Sequence, residues 1–376
     1  MRFDLEQEEL RRTVRTLLER AAGEDVWRLL AEQVGAHSLA IPEEYGGAGF
    51  SVLETHVVLE ELGAALAAPG FLSTTLAAQA ILAADSPEAK ATFLPGIASG
   101  QTRATMAWSE SGSWDASAIQ TSAELIDDAW SLTGTKIHVL DGADADLFVV
   151  PARIADADST QLGLFAVTAT AAEVTPVSTV DPNRPQAIVR YDHSPATALS
   201  TDASATLEHI LDLACVAISA EQVGAAQRAF DLTLAYAKQR VQFGRPIGSF
   251  QAVKHRLADL YLLVESARSA SYAAAFAAFA ASTASAATAP PATLTELRIA
   301  ASRAKSYCSE ALSTITGEAI QLHGGIGITW EHPIHLYFKR AHTTSHLFGS
   351  PPRHRRRYAI AVGHPRDRAL DTPHAA

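Results

Sequence analysis

Two short strings carry the residue types that could grip an anion. The first is RVQFGRPIGSFQAVKH, at 240–255. Arg240 closes a long helical pattern, Gly244, Pro246 and Gly248 make a turn, and Gln251 opens the next helical pattern. An arginine at such a corner can hold a phosphate in its planar fork, and the free amides at the start of the following helix can face the same anion. It can equally cap the preceding helix against its dipole, and the string alone leaves both readings open. The second string is QLHGGIGITWEHP, at 321–333. Gln321 offers an amide, and Gly324, Gly325 and Gly327 either let backbone approach a ligand or simply end a helix. No metal chemistry is expected. The 14 histidines are scattered singly without an HExxH pattern, and Cys215 and Cys308 lack ligand spacing and read as packing thiols.

The elements that must position these strings follow from hydrophobic period. Residues 1–102 read as a helical domain: EELRRTVRTLLERAA and VLETHVVLEELGAALAA repeat apolar residues at helical spacing, and IPEEYGGAGFS at 41–51 is a loop between them. Residues 103–204 are short segments rich in β-branched and aromatic residues, punctuated by Gly, Asp and Pro, and predict a purely antiparallel β-domain. Residues 205–376 return to the helical period and predict a four-helix bundle. In it Val223, Ala226, Phe230, Leu234 and Ala237 form one stripe, and APPA at 289–292 breaks the second long helix. The fold class is thus α+β, and Ala-rich bundle faces favour association of subunits.

Bulk properties remove several function classes. A net charge of −11 argues against general nucleic-acid binding. The N-terminal segment interleaves charge with Leu and Val, unlike a signal peptide, and no uncharged apolar run of about 18 residues predicts a membrane span. Two cysteines suit a reducing, cytoplasmic setting.

Taken together, IPEEYGGAGFS, GTKIHVLDGADADLFVV, AEQVGAAQRAFDLTLAYAKQRVQFGRPIGSFQAVKHRLADL and QLHGGIGITWEHPIHLYFKRA resemble the acyl-CoA dehydrogenase family over nearly the whole chain. The texture is similar to the actinobacterial steroid side-chain branch, in which unlike subunits pair as α2β2 heterotetramers. The resemblance implies FAD-dependent removal of hydrogens from Cα and Cβ of an acyl-CoA. A carboxylate takes the α-proton, the flavin takes the hydride, and an electron-transferring flavoprotein is the expected oxidant. It implies an FAD shared across a subunit interface, with Arg240, Phe243, Gln251, Gln321, Gly324 and Gly325 matching the half-site for the pyrophosphate and adenosine.

The other half of the match fails. Where the family has Thr-Glu-Pro-x-x-Gly-Ser-Asp, this chain has WSESGSWD; where the family has Trp-Ile-Thr, it has His138, Val139 and Leu140. Leucine cannot donate a hydrogen bond to a flavin. In the segment KRAHTTSHLFGSPPRHRRR, at 339–357, the family's Glu-Gly-Thr becomes Phe348, Gly349 and Ser350, so the base position holds Phe348. The alternative base position of other branches holds Ala214. Glu221 is a displaced candidate base, about 10 Å along the same helix, or else an ion-paired helix residue. Glu110 and Asp115 flank the altered loop as weaker candidates. Three expectations compete: a subunit that lends a half-site to a homologous partner carrying the base, a self-sufficient enzyme using Glu221, and a non-catalytic scaffold. The first expects the flavin space to be filled by Trp108, Trp114 and Phe348.

Overall fold

The computed structural model describes residues 3–21, 25–67, 70–155, 161–283 and 291–364. Helices come first. α1 (Leu5–Arg20) starts at Asp4, whose carboxylate accepts the Gln7 N–H at 2.9 Å while the Gln7 side chain accepts the Asp4 N–H at 3.0 Å. Such reciprocal caps satisfy amides that a helix start leaves open. After the short α2 (Val26–Leu29), α3 (Val52–Ala64) repeats the device with Ser51 and Glu54. α4 (Phe71–Ala83) and α5 (Pro87–Ala98) follow. Between α2 and α3 the glycine-rich segment is a loop, with Gly46 and Gly49 at positive φ.

Seven strands come next: β1 (Ala104–Met106), β2 (Ser122–Ile126), β3 (Ala129–Leu140), β4 (Leu147–Ile154), β5 (Leu162–Thr168), β6 (Glu173–Val177) and β7 (Gln186–Ser200). Pairings β4–β2–β3–β7–β5–β4 run in a closed circuit, with β1 on β4 and β6 on β7. Closure leaves open edges, among the described strands of this sheet, only on the short β1 and β6. The expected purely antiparallel pattern needs correction. β1 and β2 both pair with β4 in parallel, over Ala104–Met106 and over Ser122 and Ala123. They share one edge of β4 because residues 107–121 run as a loop between them rather than as a hairpin. β3 carries two register shifts, at Leu132/Gly134 and Lys136/Val139, and His138 there has φ +55°. Bulges of this kind re-aim side chains.

The bundle has three long helices, α6 (Ser204–Gln239), α7 (Gln251–Thr283) and α8 (Pro291–His323). The expected fourth helix is instead two short ones, α9 (Ile334–His346) and α10 (Pro351–Ala361). Phe348 and Gly349 at positive φ, followed by Pro351 at the first turn of α10, divide them. Between α6 and α7 lies a hairpin of β8 (Val241–Gln242) and β9 (Arg245–Pro246). The helix break assigned to APPA lies partly outside the described residues; Pro291 opens α8. Among the described residues α6 is long and apolar enough to cross a membrane, and 94% of its apolar window is buried inside the fold. α3 and α6 cross in near contact. A Cβ on Gly63 would lie 2.1 Å from the Glu221 carbonyl oxygen, and one on Gly224 would lie 1.8 Å from that of Glu60. One continuous core joins the first helices, one face of the strands and the bundle.

Candidate active site

The two strings that could grip an anion meet at one end of the bundle. Tyr236, near the end of α6, stacks on His323, the last residue of α8, with ring centroids 4.4 Å apart, and donates its hydroxyl to the His323 carbonyl at 3.2 Å. Arg256 of α7 lies 3.6 Å from Glu318 of α8, so the start of α7 belongs to the same end. Arg240 caps α6 through its backbone, donating N–H to Tyr236 O at 2.8 Å. Its exposed guanidinium makes no hydrogen bond or ion pair among the described residues, so the side chain is not spent on the helix dipole. Phe243 stands 91% exposed at the hairpin tip, with φ +52°. Gln251 and Gln321 are exposed. Gly324 takes φ +63°, where a side chain is strained. Gly325 has neither positive φ nor any atom within 4 Å of a hypothetical Cβ, so only a group arriving from outside would meet a side chain there. A free guanidinium at the same end of the bundle as an uncovered glycine turn is chemistry that a phosphate-bearing group could use.

The region that the resemblance assigns to the flavin ring has a different character. Trp108, Trp114, Leu140, Ala214 and Phe348 are all buried in one apolar core. The Trp114 and Phe348 rings meet edge-on, centroids 5.0 Å apart. His138, expected on this face with Leu140, is turned outward by the β3 bulge, and its Nδ1 lies 3.0 Å from Gln186 Oε1. The Trp108 indole nitrogen and the Ser109 hydroxyl are buried here without a hydrogen-bond partner among the described residues.

Neither loop acid is placed to remove a proton. Glu110 accepts from Lys136 Nζ at 2.7 Å, from the Gln120 and Thr121 amides at 2.6 and 3.0 Å, and from Thr121 Oγ1 at 2.8 Å. Burial works to raise its pKa, but Lys136 and Thr121 outweigh burial and hold it below the ordinary value. Lys136 itself is fully buried, and burial pushes it down to about 8. Asp115 pairs with Arg353; burial again opposes, and the guanidinium again wins, so its carboxyl is also held low. Glu221 is 2% exposed and its carboxylate is paired with the buried Arg184, which is the ion-paired alternative.

The basic segment at 339–357 is neutralised by the fold's own acids. Arg340 pairs with Asp181, Arg353 with Asp115, Arg355 with Glu310, and Arg357 with Asp212 and Glu208. Lys339 sits 4.7 Å above the Trp330 ring. Phe348 is fixed at φ +60° because its carbonyl accepts from Arg353 Nη1 at 3.3 Å and lies 2.8 Å from His354 Nε2. Just before it, the buried Lys305 donates to the carbonyls of Thr344 and Ser345 at 3.1 and 2.9 Å, capping α9. Sequence reasoning did not single out Lys136, Arg184 or Lys305. Lys136 and Arg184 find their ionic partners 26 and 37 residues away, and Lys305 reaches carbonyls 39 and 40 residues on, which leaves no local signal of burial.

Comparison with known proteins decides the family. Residues 4–101 match the profile of the acyl-CoA dehydrogenase N-terminal domain and residues 205–362 that of its C-terminal domain. The chain belongs to the acyl-CoA dehydrogenase family. It is 41% identical over 361 residues to the acyl-CoA dehydrogenase IpdE2 of Mycobacterium tuberculosis, spanning 92% of this chain and 94% of that protein. Among solved structures, a variant of the Tcur3481-Tcur3483 steroid ACAD aligns with TM-score 0.81 and 31% identity, covering 95% of this chain and 97% of that one. The ChsE4-ChsE5 complex of Mycobacterium tuberculosis aligns with TM-score 0.83 and 28% identity, covering 97% and 99%. The order of helices, β-domain and helical bundle is therefore that of an acyl-CoA dehydrogenase, and the chain is of an oxidoreductase family.

Proposed function

We propose that this chain is one subunit of an FAD-dependent assembly that desaturates an acyl-CoA between Cα and Cβ, and that it lends the FAD pyrophosphate half-site to an unlike partner. The observation that carries this reading is the contrast between its two half-sites. The free Arg240 guanidinium and the uncovered Gly324–Gly325 turn suit the diphosphate end of a dinucleotide. The flavin end does not fit on the same chain, since Trp114 and Phe348 fill the core beside Leu140. When bound, FAD would supply the hydride acceptor. This chain's own residues would grip the diphosphate with Arg240, lay Phe243 and Gln251 alongside it, and accept close approach at Gly324 and Gly325. Gln321 would complete the polar rim.

No proton step is assigned here, because Phe348 and Ala214 carry no proton-accepting group. The α-proton base belongs to the partner in this reading. The relatives named as steroid ACAD and ChsE4-ChsE5 complex support a steroid-derived acyl-CoA and an assembly of unlike subunits, here read as an α2β2 heterotetramer. An electron-transferring flavoprotein is the oxidant in this reading. The test is to purify the chain alone and co-expressed with an unlike acyl-CoA dehydrogenase subunit, and to record turnover on acyl-CoA substrates. Turnover is expected only in the co-expressed assembly. Robust turnover by the chain alone would remove the reading.

A further inference from the structure

Where the helices, the β-domain and the bundle meet, buried charges do not balance. The turn between β6 and β7 carries Asp181 and Arg184. Arg184 reaches Glu221 on α6, and Asp181 holds Arg340 on α9. Arg340 Nη2 also donates to the carbonyls of Leu66, just beyond α3, and Asn183, both at 3.2 Å. A third acid, Asp141, follows β3. It accepts from Ser73 Oγ of α4 at 2.6 Å, and its N–H donates to Pro185 O at 3.0 Å. Asp181, Arg184 and Arg340 are 1% exposed, Glu221 2% and Asp141 7%. Asp141, Asp181 and Glu221 thus face Arg184 and Arg340, which leaves one negative charge in surplus.

Among the described residues no further cation corrects the sum. Arg103, across a cavity of about 90 Å³ that Asp141 and Ser73 also line, is engaged by Asp25 at 3.6 Å, and Asp144 on the same wall adds negative charge. Excess charge in a buried site is costly, and a proton is the cheapest way to remove it.

We propose that this three-way junction is a proton-operated clamp, in which uptake of one proton by Asp141 balances the three acids against the two arginines and tightens the β-domain onto both helical regions. The small cavity gives the proton its route from solvent. Burial, with Glu221 and Asp144 adding to it against Arg184 and Ser73, pushes the Asp141 carboxyl up to about 6. A carboxyl raised above its unfolded value of 3.8 stabilises the fold fully below that value. The contribution is lost as pH rises through about 6. Because Leu140 precedes Asp141, the clamp acts on the strand end that lines the filled flavin face.

The test is thermal unfolding of the full chain with Asp141→Asn, a substitution that keeps an acceptor for Ser73 and tolerates the φ of +53°. The variant should melt roughly 2–4 °C above the parent near pH 8, and the gap should shrink as pH falls below about 6 and close near pH 4. A gap that does not change with pH overturns the proposal. In a Glu221→Gln background, where the charges balance two against two, the same comparison should show its inflection at least about one pH unit lower. An unmoved inflection also overturns it. Hydrogen exchange localises the effect. Corrected for intrinsic rates, the gain in protection of residues 178–185 from Asp141→Asn should be larger near pH 7.5 than near pH 5.5. No gain, or a gain that does not change with pH, contradicts the clamp.

Discussion

At the scale of the residue, two side chains carry the proposed division of the site. Arg240 is free and exposed; Phe348 is buried and, by the resemblance, occupies the position of the family's base. Replacing Arg240 with Ala should weaken flavin retention in the assembled complex by about 1.5–3 kcal/mol, the usual worth of a charge-assisted hydrogen bond. Flavin released on dilution, followed by its fluorescence, reads this directly, and unchanged retention would refute the role. Phe348→Ala should act on stability instead. Emptying a buried aromatic site costs about 3–5 kcal/mol in urea unfolding, while turnover by the partner's chemistry persists in the folded complex. Complete loss of turnover in a folded assembly would give Phe348 a part in the chemistry that its ring cannot explain. The residue types themselves were legible: the Arg, Gln and Gly strings and the Phe at 348 are local facts of sequence. Burial was not. Nothing near Arg184 in the chain announces Glu221 as its partner, 37 residues away, nor Asp181 as that of Arg340, 159 residues away.

At the scale of the element, the long helices were legible because their apolar period is local. The sheet was legible only as strands. Its closed circuit and its two short parallel pairings with β4 are set by contacts between distant segments, which no period within one strand encodes. The division of the bundle's last helical segment into α9 and α10 has a readable cause, since Gly349 and Pro351 lie at the break between them. The crossing of α3 and α6 gives the sharpest test at this level. Gly224→Ala puts a methyl 1.8 Å from the Glu60 carbonyl oxygen, so the two helices must separate. The expected cost is about 1–3 kcal/mol or more, measured by denaturant unfolding. A neutral result would mean that the helices do not approach as closely as described.

At the scale of the whole molecule, acid should weaken the fold despite the junction at Asp141. Burial drives His56 and His354 down to about 3 and His37 to about 4, against an ordinary value of 6.5. The unfolded chain binds protons that the folded chain refuses. Stability from these groups is therefore full above pH 6.5 and falls as pH drops toward 4, by up to about 1.4 kcal/mol per pH unit for each histidine. Three imidazoles outweigh one carboxyl of opposite sign, so chemical denaturation midpoints should fall between about pH 6.5 and 4. Constant midpoints across that window would mean that these histidines are not buried as neutral rings.

The central claim is that one chain carries an open diphosphate site and a closed flavin site. Its most direct test is the flavin content of the assembly, from the visible spectrum and protein quantitation together. The account predicts that the chain alone lacks the flavin bands. With an unlike family subunit it predicts about one FAD for every two chains, as expected when two half-sites make one complete site. One FAD per chain, or flavin bands in the chain purified alone, would contradict it.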